Sequence, residues 1–183
     1  MKKTLLLINL LILILLTNGC FQSNSKDQNA QEPSANPVVS ELKLTSPAFE
    51  DGQIIPTKYT CDNANINPTL IIDHAPAGTK SLALIVDDSD AKGFIHWLIW
   101  NIDPSTITIT EHFVSANSTQ GKNDFGNIGY GGPCPPAGQH LYRFNLFALS
   151  EKLNLPKGAS SAELKNAMKN LILDKAILTG LFR

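Results

Sequence analysis

Two apolar runs separated by five residues do most to limit how this chain can fold. Ser81–Val86 is apolar almost throughout and runs into Asp87 and Asp88, while Phe94–Ile102 is apolar apart from His96 and Asn101. Runs of this kind suit strands buried on both faces. The link Ser89-Asp90-Ala91-Lys92-Gly93 is short enough for a hairpin. A third run, Leu141–Leu149, follows a stiff Gly/Pro loop from Gly129 to Gly138. The eleven prolines and twelve glycines lie mostly outside these runs, which favours many turns and short strands over long helices. With 43% hydrophobic residues the chain can build a real core.

Shorter elements complete the domain. Glu41–Ser46, Ile54–Tyr59, Leu70–Ile72, Ile107–Thr110 and Ala176–Phe182 read as extended pieces, and Ser115–Gly129 as a polar loop. Ser160 and Glu163 have capping-box spacing, which predicts one helix over about Ala162–Leu173 with Leu164, Met168, Leu171 and Ile172 on its apolar face.

Side chains alternate faces along a strand. From His140 onward Tyr142, Phe144, Leu146 and Ala148 share one face, so an imidazole and a phenol sit among core residues. Asp88 likewise shares a face with Leu82, Leu84 and Val86, and His96 with Phe94, Leu98, Trp100 and Ile102. In a hairpin Asp88 and His96 flank the same loop and come within side-chain reach of each other. Polar groups in such places need partners or a purpose. Asp88, His96, His140 and Tyr142, with Asp90 as a weaker fifth, therefore form the candidate site. The histidines and the tyrosine are hydrogen-bond donors for a phosphate or carboxylate, and Asp88 orients one histidine and favours its protonated form. Each histidine can instead be a satisfied core residue.

Other chemistries find less support. Asp88, His96 and His140 make a two-histidine, one-carboxylate set, but no H-x-x-x-H or paired-cysteine spacing supports a metal, and no cofactor is implied. No G-x-S-x-G elbow is present, so a binding protein is expected rather than an enzyme. His74 and His112 sit in polar loops and read as surface. A net charge of −1 gives no footprint for nucleic acid.

Residues 1–19 read as a bacterial export signal: Lys2 and Lys3 precede the apolar run Leu5–Leu16, which is too short to favour a spanning helix. The run ends in Leu16-Thr17-Asn18-Gly19-Cys20, which resembles a lipoprotein cleavage box with Cys20 as the lipidated residue, although Thr17 stands where leucine is usual. Residues 20–39 make a disordered tether, and residues 40–183 the folded domain. This organisation places the domain on the bacterial envelope, facing the periplasm or the exterior. Removing the leader leaves a net charge of −3, so membrane attachment comes from the lipid and not from a basic patch. Once Cys20 is set aside, Cys61 and Cys134 remain. An even remainder in an exported domain favours a disulfide, the alternative being two buried free thiols.

Four stretches together resemble the phosphatidylethanolamine-binding, or Raf kinase inhibitor-like, family in its bacterial YbhB/YbcL-like branch. They are Ile55-Pro-Thr-Lys-Tyr-Thr-Cys-Asp62, the run from Pro76 to Asp88, His96-Trp97 with Asn101-Ile102, and Gly129–Leu149. The resemblance covers about Leu42 to the C-terminus. It implies a mainly β fold, a two-sheet antiparallel β-sandwich with Greek-key links and a C-terminal helix, with a small pocket for anions such as a phosphorylated head group. The family's D-P-D-A-P motif falls on Asp88-Ser89-Asp90-Ala91-Lys92, so both prolines are missing and the pocket rim is expected to be less rigid and more basic. His96, His140 and Tyr142 take the pocket positions, Cys134 and Pro136 fall at the pocket mouth, and Phe182 stands where many relatives have tyrosine. Some relatives inhibit proteases or kinases, which makes a protein partner acting through the surface the alternative reading.

Overall fold

The computed structural model describes residues 41–183. The expected export signal, the expected lipidation site Cys20 and the expected tether all lie outside the described residues. Among those described, the chain forms β1 (Lys43–Thr45), β2 (Gln53–Ile54), β3 (Leu70–Asp73), β4 (Ser81–Asp88), β5 (Phe94–Ile102), β6 (Thr108–Ile109), β7 (Thr119–Gln120), β8 (His140–Leu149), α1 (Ser161–Met168) and β9 (Ile172–Phe182). Two sheets result, a small one ordered β1-β3-β6 and a larger one ordered β2-β9-β8-β4-β5-β7. Neighbouring strands run antiparallel except at one edge, where β2 lies parallel to β9. Strands far apart in sequence become neighbours, β8 lying between β4 and β9, which gives the sandwich its Greek-key crossings.

The main core lies between the sheets. Leu44, Leu70, Ile72 and Ile109 of the small sheet meet Leu82, Leu84, Val86, Phe144, Leu146 and Leu178 of the large one. Ala83 and Ile85 point the other way, into a second cluster with Leu98, Trp100, Leu164 and Met168. The central strand β4 is therefore buried on both faces, which is why its sequence is almost continuously apolar.

Strand β5 departs from simple alternation. Val86 pairs with Trp97 but Asp87 pairs with Ile95, so His96 is an extra residue in a β-bulge. A second irregularity between Leu82 and Leu84 leaves an extra residue before Ile102, where Asn101 takes a left-handed φ of 57°. Between the two bulges the faces are exchanged: Trp97 and Ile99 enter the main core, while Leu98 and Trp100 enter the second. Leu98 and Trp100 thus do not share a face with His96, contrary to the alternation expected from sequence.

The helix is shorter than its periodicity predicts. The capping box forms, with the Ser160 N–H donating to Glu163 Oε2 at 2.8 Å and Glu163 N–H to Ser160 Oγ at 3.3 Å. Yet the helix stops at Met168, and a turn closed by Leu171 N–H to the Met168 carbonyl leads directly into β9. Ile172 pairs with Leu149 on β8, a ladder contact that outweighs one more helical turn. Ile54–Tyr59 is likewise divided: Gln53–Ile54 joins the sheet and Thr57–Tyr59 winds into a short 3₁₀ turn.

Candidate functional site

The turn between β4 and β5 is built around one carboxylate. Asp88 Oδ1 accepts the backbone N–H groups of Asp90 (2.9 Å) and Ala91 (3.0 Å), and the Asp88 carbonyl accepts that of Gly93. Ser89 donates both its N–H and its hydroxyl to the Leu141 carbonyl, while Asp90 Oδ2 accepts the Leu141 N–H at 2.7 Å. Lys92 sits at φ 56°, which a proline ring cannot adopt. Side-chain acceptors and the neighbouring strand thus hold this turn where proline rings would otherwise stiffen it. Lys92 is exposed and does not line the cavity, so it puts no basic group in the cavity wall.

Asp88 is opposite Phe94 on β5 and Tyr142 on β8. Its second oxygen, Oδ2, accepts Nδ1–H of His140 at 2.7 Å. Burial pulls the Asp88 carboxyl upward, but the His140 hydrogen bond and the turn amides outweigh it and hold the group below the usual carboxylate range. Asp88 is therefore ionised, and the histidine it orients is His140, not its hairpin neighbour His96.

His96 finds its partners on the Gly/Pro loop. Its Nδ1 lies 2.7 Å from the Gly131 carbonyl and 3.1 Å from that of Gly132. Both are acceptors, so Nδ1 carries the proton and, in the neutral ring, Nε2 keeps its lone pair. Gly132 makes this approach feasible: a Cβ there would run into the Tyr59 carbonyl and lie 2.8 Å from Thr60 Cα. Burial lowers the His96 pKa, and the glycine carbonyls, Asp88 and Asp124 only partly restore it. Asp88 therefore does not carry His96 into its protonated form. Phe94, Phe125 and Tyr142 meet the ring edge-on at centroid distances of 5.3, 5.3 and 5.2 Å.

These groups border a cavity of about 340 Å³ lined by Asp88, Ala91, Phe94, His96, Phe125, Cys134 and Pro136. Four of the residues singled out from sequence thus line it: Asp88, His96, Cys134 and Pro136. His140 and Tyr142 do not line it. Tyr142 is fully buried, and its hydroxyl lies near Asp88 and the Cys134 backbone without an aligned hydrogen bond to either. Burial first, and then Asp88, push that phenol well above its ordinary pKa, so it stays neutral. Asp90 caps Leu141 and lies outside the lining. Cys61 and Cys134 are joined in a disulfide with Cα atoms 5.4 Å apart, so one wall of the cavity is covalently tied to the segment after the 3₁₀ turn.

Phe94, Phe125 and the two glycine carbonyls are the parts that sequence reasoning missed. Phe125 had a signal, a lone aromatic in the polar stretch Ser115–Gly129. Two further hollows, of about 270 and 240 Å³, flank Tyr130, but neither brings a carboxylate and an imidazole together. Among the described residues no group of three His, Cys, Asp or Glu side chains has metal-binding geometry.

Comparison with known proteins gives a consistent result. A family model described as phosphatidylethanolamine-binding protein matches residues 45–183. A UPF0098 protein of Methanothermobacter thermautotrophicus is 46% identical over 149 residues, 78% of this chain and 99% of its own. LppC of Mycobacterium tuberculosis, provisionally named a lipoprotein, is 37% identical over 165 residues, 88% of this chain and 80% of its own. Among solved structures, the phosphatidylethanolamine-binding protein homolog CT736 of Chlamydia trachomatis superposes with a TM-score of 0.74 at 36% identity, covering 78% of this chain and 97% of that one. Escherichia coli YbcL gives 0.73 at 28%, covering 79% and 99%. The family model takes in every residue of the cavity wall, and the sandwich carrying that wall is the one these structures share, so the chain belongs to the phosphatidylethanolamine-binding protein family.

Proposed function

We propose that this chain binds a small phosphorylated or carboxylated ligand in the Asp88–His96 cavity and acts as a binding protein, not a catalyst. The observation that carries this reading is the pairing, on one cavity wall, of a nearly buried carboxylate and a nearly buried imidazole beneath an apolar collar. Asp88 is 3% exposed and His96 2%, a cost that a purely structural pair could avoid with apolar side chains. Phe94, Phe125 and Pro136 form the collar, which suits a polar head bearing an apolar arm. A space of about 340 Å³ is at the small end for ligand pockets and fits a head group.

An NMR titration with inorganic phosphate tests this. At about 1 mM phosphate the ring signals of His96 and His140 are expected to shift, while those of exposed His74 stay in place. Unmoved His96 and His140 signals would sink the reading.

Display on the envelope through a lipid at Cys20 belongs to the same proposal. It draws on the leader sequence and on the name given to LppC. Feeding cells a labelled fatty acid should mark the wild-type chain and leave Cys20→Ser unlabelled.

A further inference from the structure

The polar side chains that line the cavity offer acceptors and no free donor; the unpaired Tyr142 hydroxyl is fully buried and outside the lining. Asp88 already accepts two turn amides on Oδ1 and the His140 Nδ1–H on Oδ2. His96 commits its Nδ1–H to the Gly131 and Gly132 carbonyls, and among the described residues Nε2 has no protein partner. The lining contains neither lysine nor arginine. A bare oxyanion placed against Nε2 would set lone pair against lone pair beside a fixed negative charge. One proton between them converts that repulsion into a charge-assisted hydrogen bond. An ammonium group would bring three donors to two free acceptor sites, His96 Nε2 and the remaining lone pair of Asp88 Oδ2.

We propose that the site takes its oxyanion together with one proton, shared between a ligand oxygen and His96 Nε2. The ligand class is then a singly protonated oxyacid, such as the monoanion of a phosphate monoester, in preference to a dianion or an amine. This rests on the cavity being an oxyanion site.

The proton balance is simple. A monoanion arrives with its own O–H and releases nothing, whereas a dianion must take up one proton from solvent as it binds. The groups facing His96 agree with that balance. Asp88 on β4 and Asp124 in the segment before β8 are carboxylates that favour a proton on the ring, Tyr142 on β8 is neutral, and His140 reaches His96 only through Asp88. Burial opposes the proton in the free protein. It therefore comes and goes with the ligand.

Calorimetry on the full chain with inorganic phosphate and with sulfate, an oxyanion that carries no proton near neutrality, tests the proposal. Buffers of different ionisation heat report the protons taken up per ligand. Between about pH 7.5 and about pH 8.5, above the reference values of both imidazole and a phosphate's second proton, phosphate affinity should fall about tenfold per pH unit, with one proton taken up. Sulfate should bind far more weakly than phosphate at neutral pH and gain only toward the acid end. The ¹⁵N signal of His96 Nε2 should be that of a bare nitrogen in the free protein and of a protonated one in the complex, a readout needing no variant. Phosphate affinity that is flat with pH, or equal for sulfate and phosphate at neutrality, would overturn the proton linkage while leaving the oxyanion site standing. Failure of phosphate to bind at any pH would overturn both.

Discussion

His96 shows how one residue's surroundings set what the whole cavity can accept. Its ring is held neutral by burial and fixed in one tautomer by two carbonyls. Because the folded pKa is lowered, the unfolded chain binds the proton more readily, so this contribution to stability is complete above the ordinary histidine pKa of about 6.5 and is lost as pH falls below it. The thermal midpoint of the ligand-free protein should therefore drop as pH is taken from about 7 to about 5.5. His96→Asn, which keeps a donor for the two carbonyls but cannot titrate, should flatten that drop. Equal drops in both proteins would refute the assignment. Asp88 works in the opposite sense: its folded pKa is depressed, so its contribution persists above the usual carboxylate range and fades as pH falls through the folded value. Asp88→Asn removes the charged partner of His140 and should cost about 1.5–3 kcal/mol at neutral pH, read by denaturant unfolding. At this scale the sequence identified the right residue types, because polar groups in apolar runs are conspicuous. It could not say which histidine Asp88 holds, since that choice depends on a bulge and on two backbone carbonyls that have no side-chain signature.

The bulge belongs to the scale of the element. Counting alternate residues along Phe94–Ile102 assumes an unbroken ladder, and β5 breaks it twice. The first break turns His96 toward the cavity and its neighbour Trp97 into the main core, with the Trp97 indole N–H donating to Gln120 at 2.8 Å. The runs themselves were legible, β5 to the residue, because burial on both faces leaves few alternatives to strand. The helix end was not, since Leu171 and Ile172 fit a helical face as well as a strand and only pairing with β8 decides between them. The Gly/Pro loop carries the other half of the His96 environment, and its Gly131 and Gly132 are required by close approach. Gly132→Ala should clash with backbone at Tyr59 and Thr60, which cannot move as a flexible side-chain tip would. A loss of about 1–3 kcal/mol is expected, together with weaker phosphate binding as the two carbonyls are displaced from His96. A change at Gly138, where an added Cβ meets nothing within 4 Å, needs a different account: its φ of 76° makes any cost one of backbone conformation.

Across the whole molecule, the disulfide joins a site requirement to a folding one. Cys61 precedes β3 and Cys134 follows β7, so the bridge, spanning a sequence separation of 73, closes a loop that holds β3 and β6 of the small sheet together with β4, β5 and β7 of the large one. Closing so long a loop restricts the unfolded chain strongly, by about 4 kcal/mol on the chain-entropy account. The pair was legible from cysteine number and from the expected export signal, while its place at the pocket mouth came only from the family resemblance, because nothing local to Cys134 shows that Asp88 and His96 lie across from it. Cys61→Ser with Cys134→Ser should therefore have two separable effects. Stability should fall by about 4 kcal/mol in denaturant unfolding, while the sheets persist, since their ladders and cores do not pass through the sulfur atoms. Phosphate binding should weaken by more than the stability loss explains when measured well below the unfolding transition, because the Gly131–Cys134 wall that presents carbonyls to His96 loses its tie to Cys61. A variant destabilised by that amount yet binding phosphate like the wild type would show that the bridge serves the fold alone and that the loop holds His96 without it.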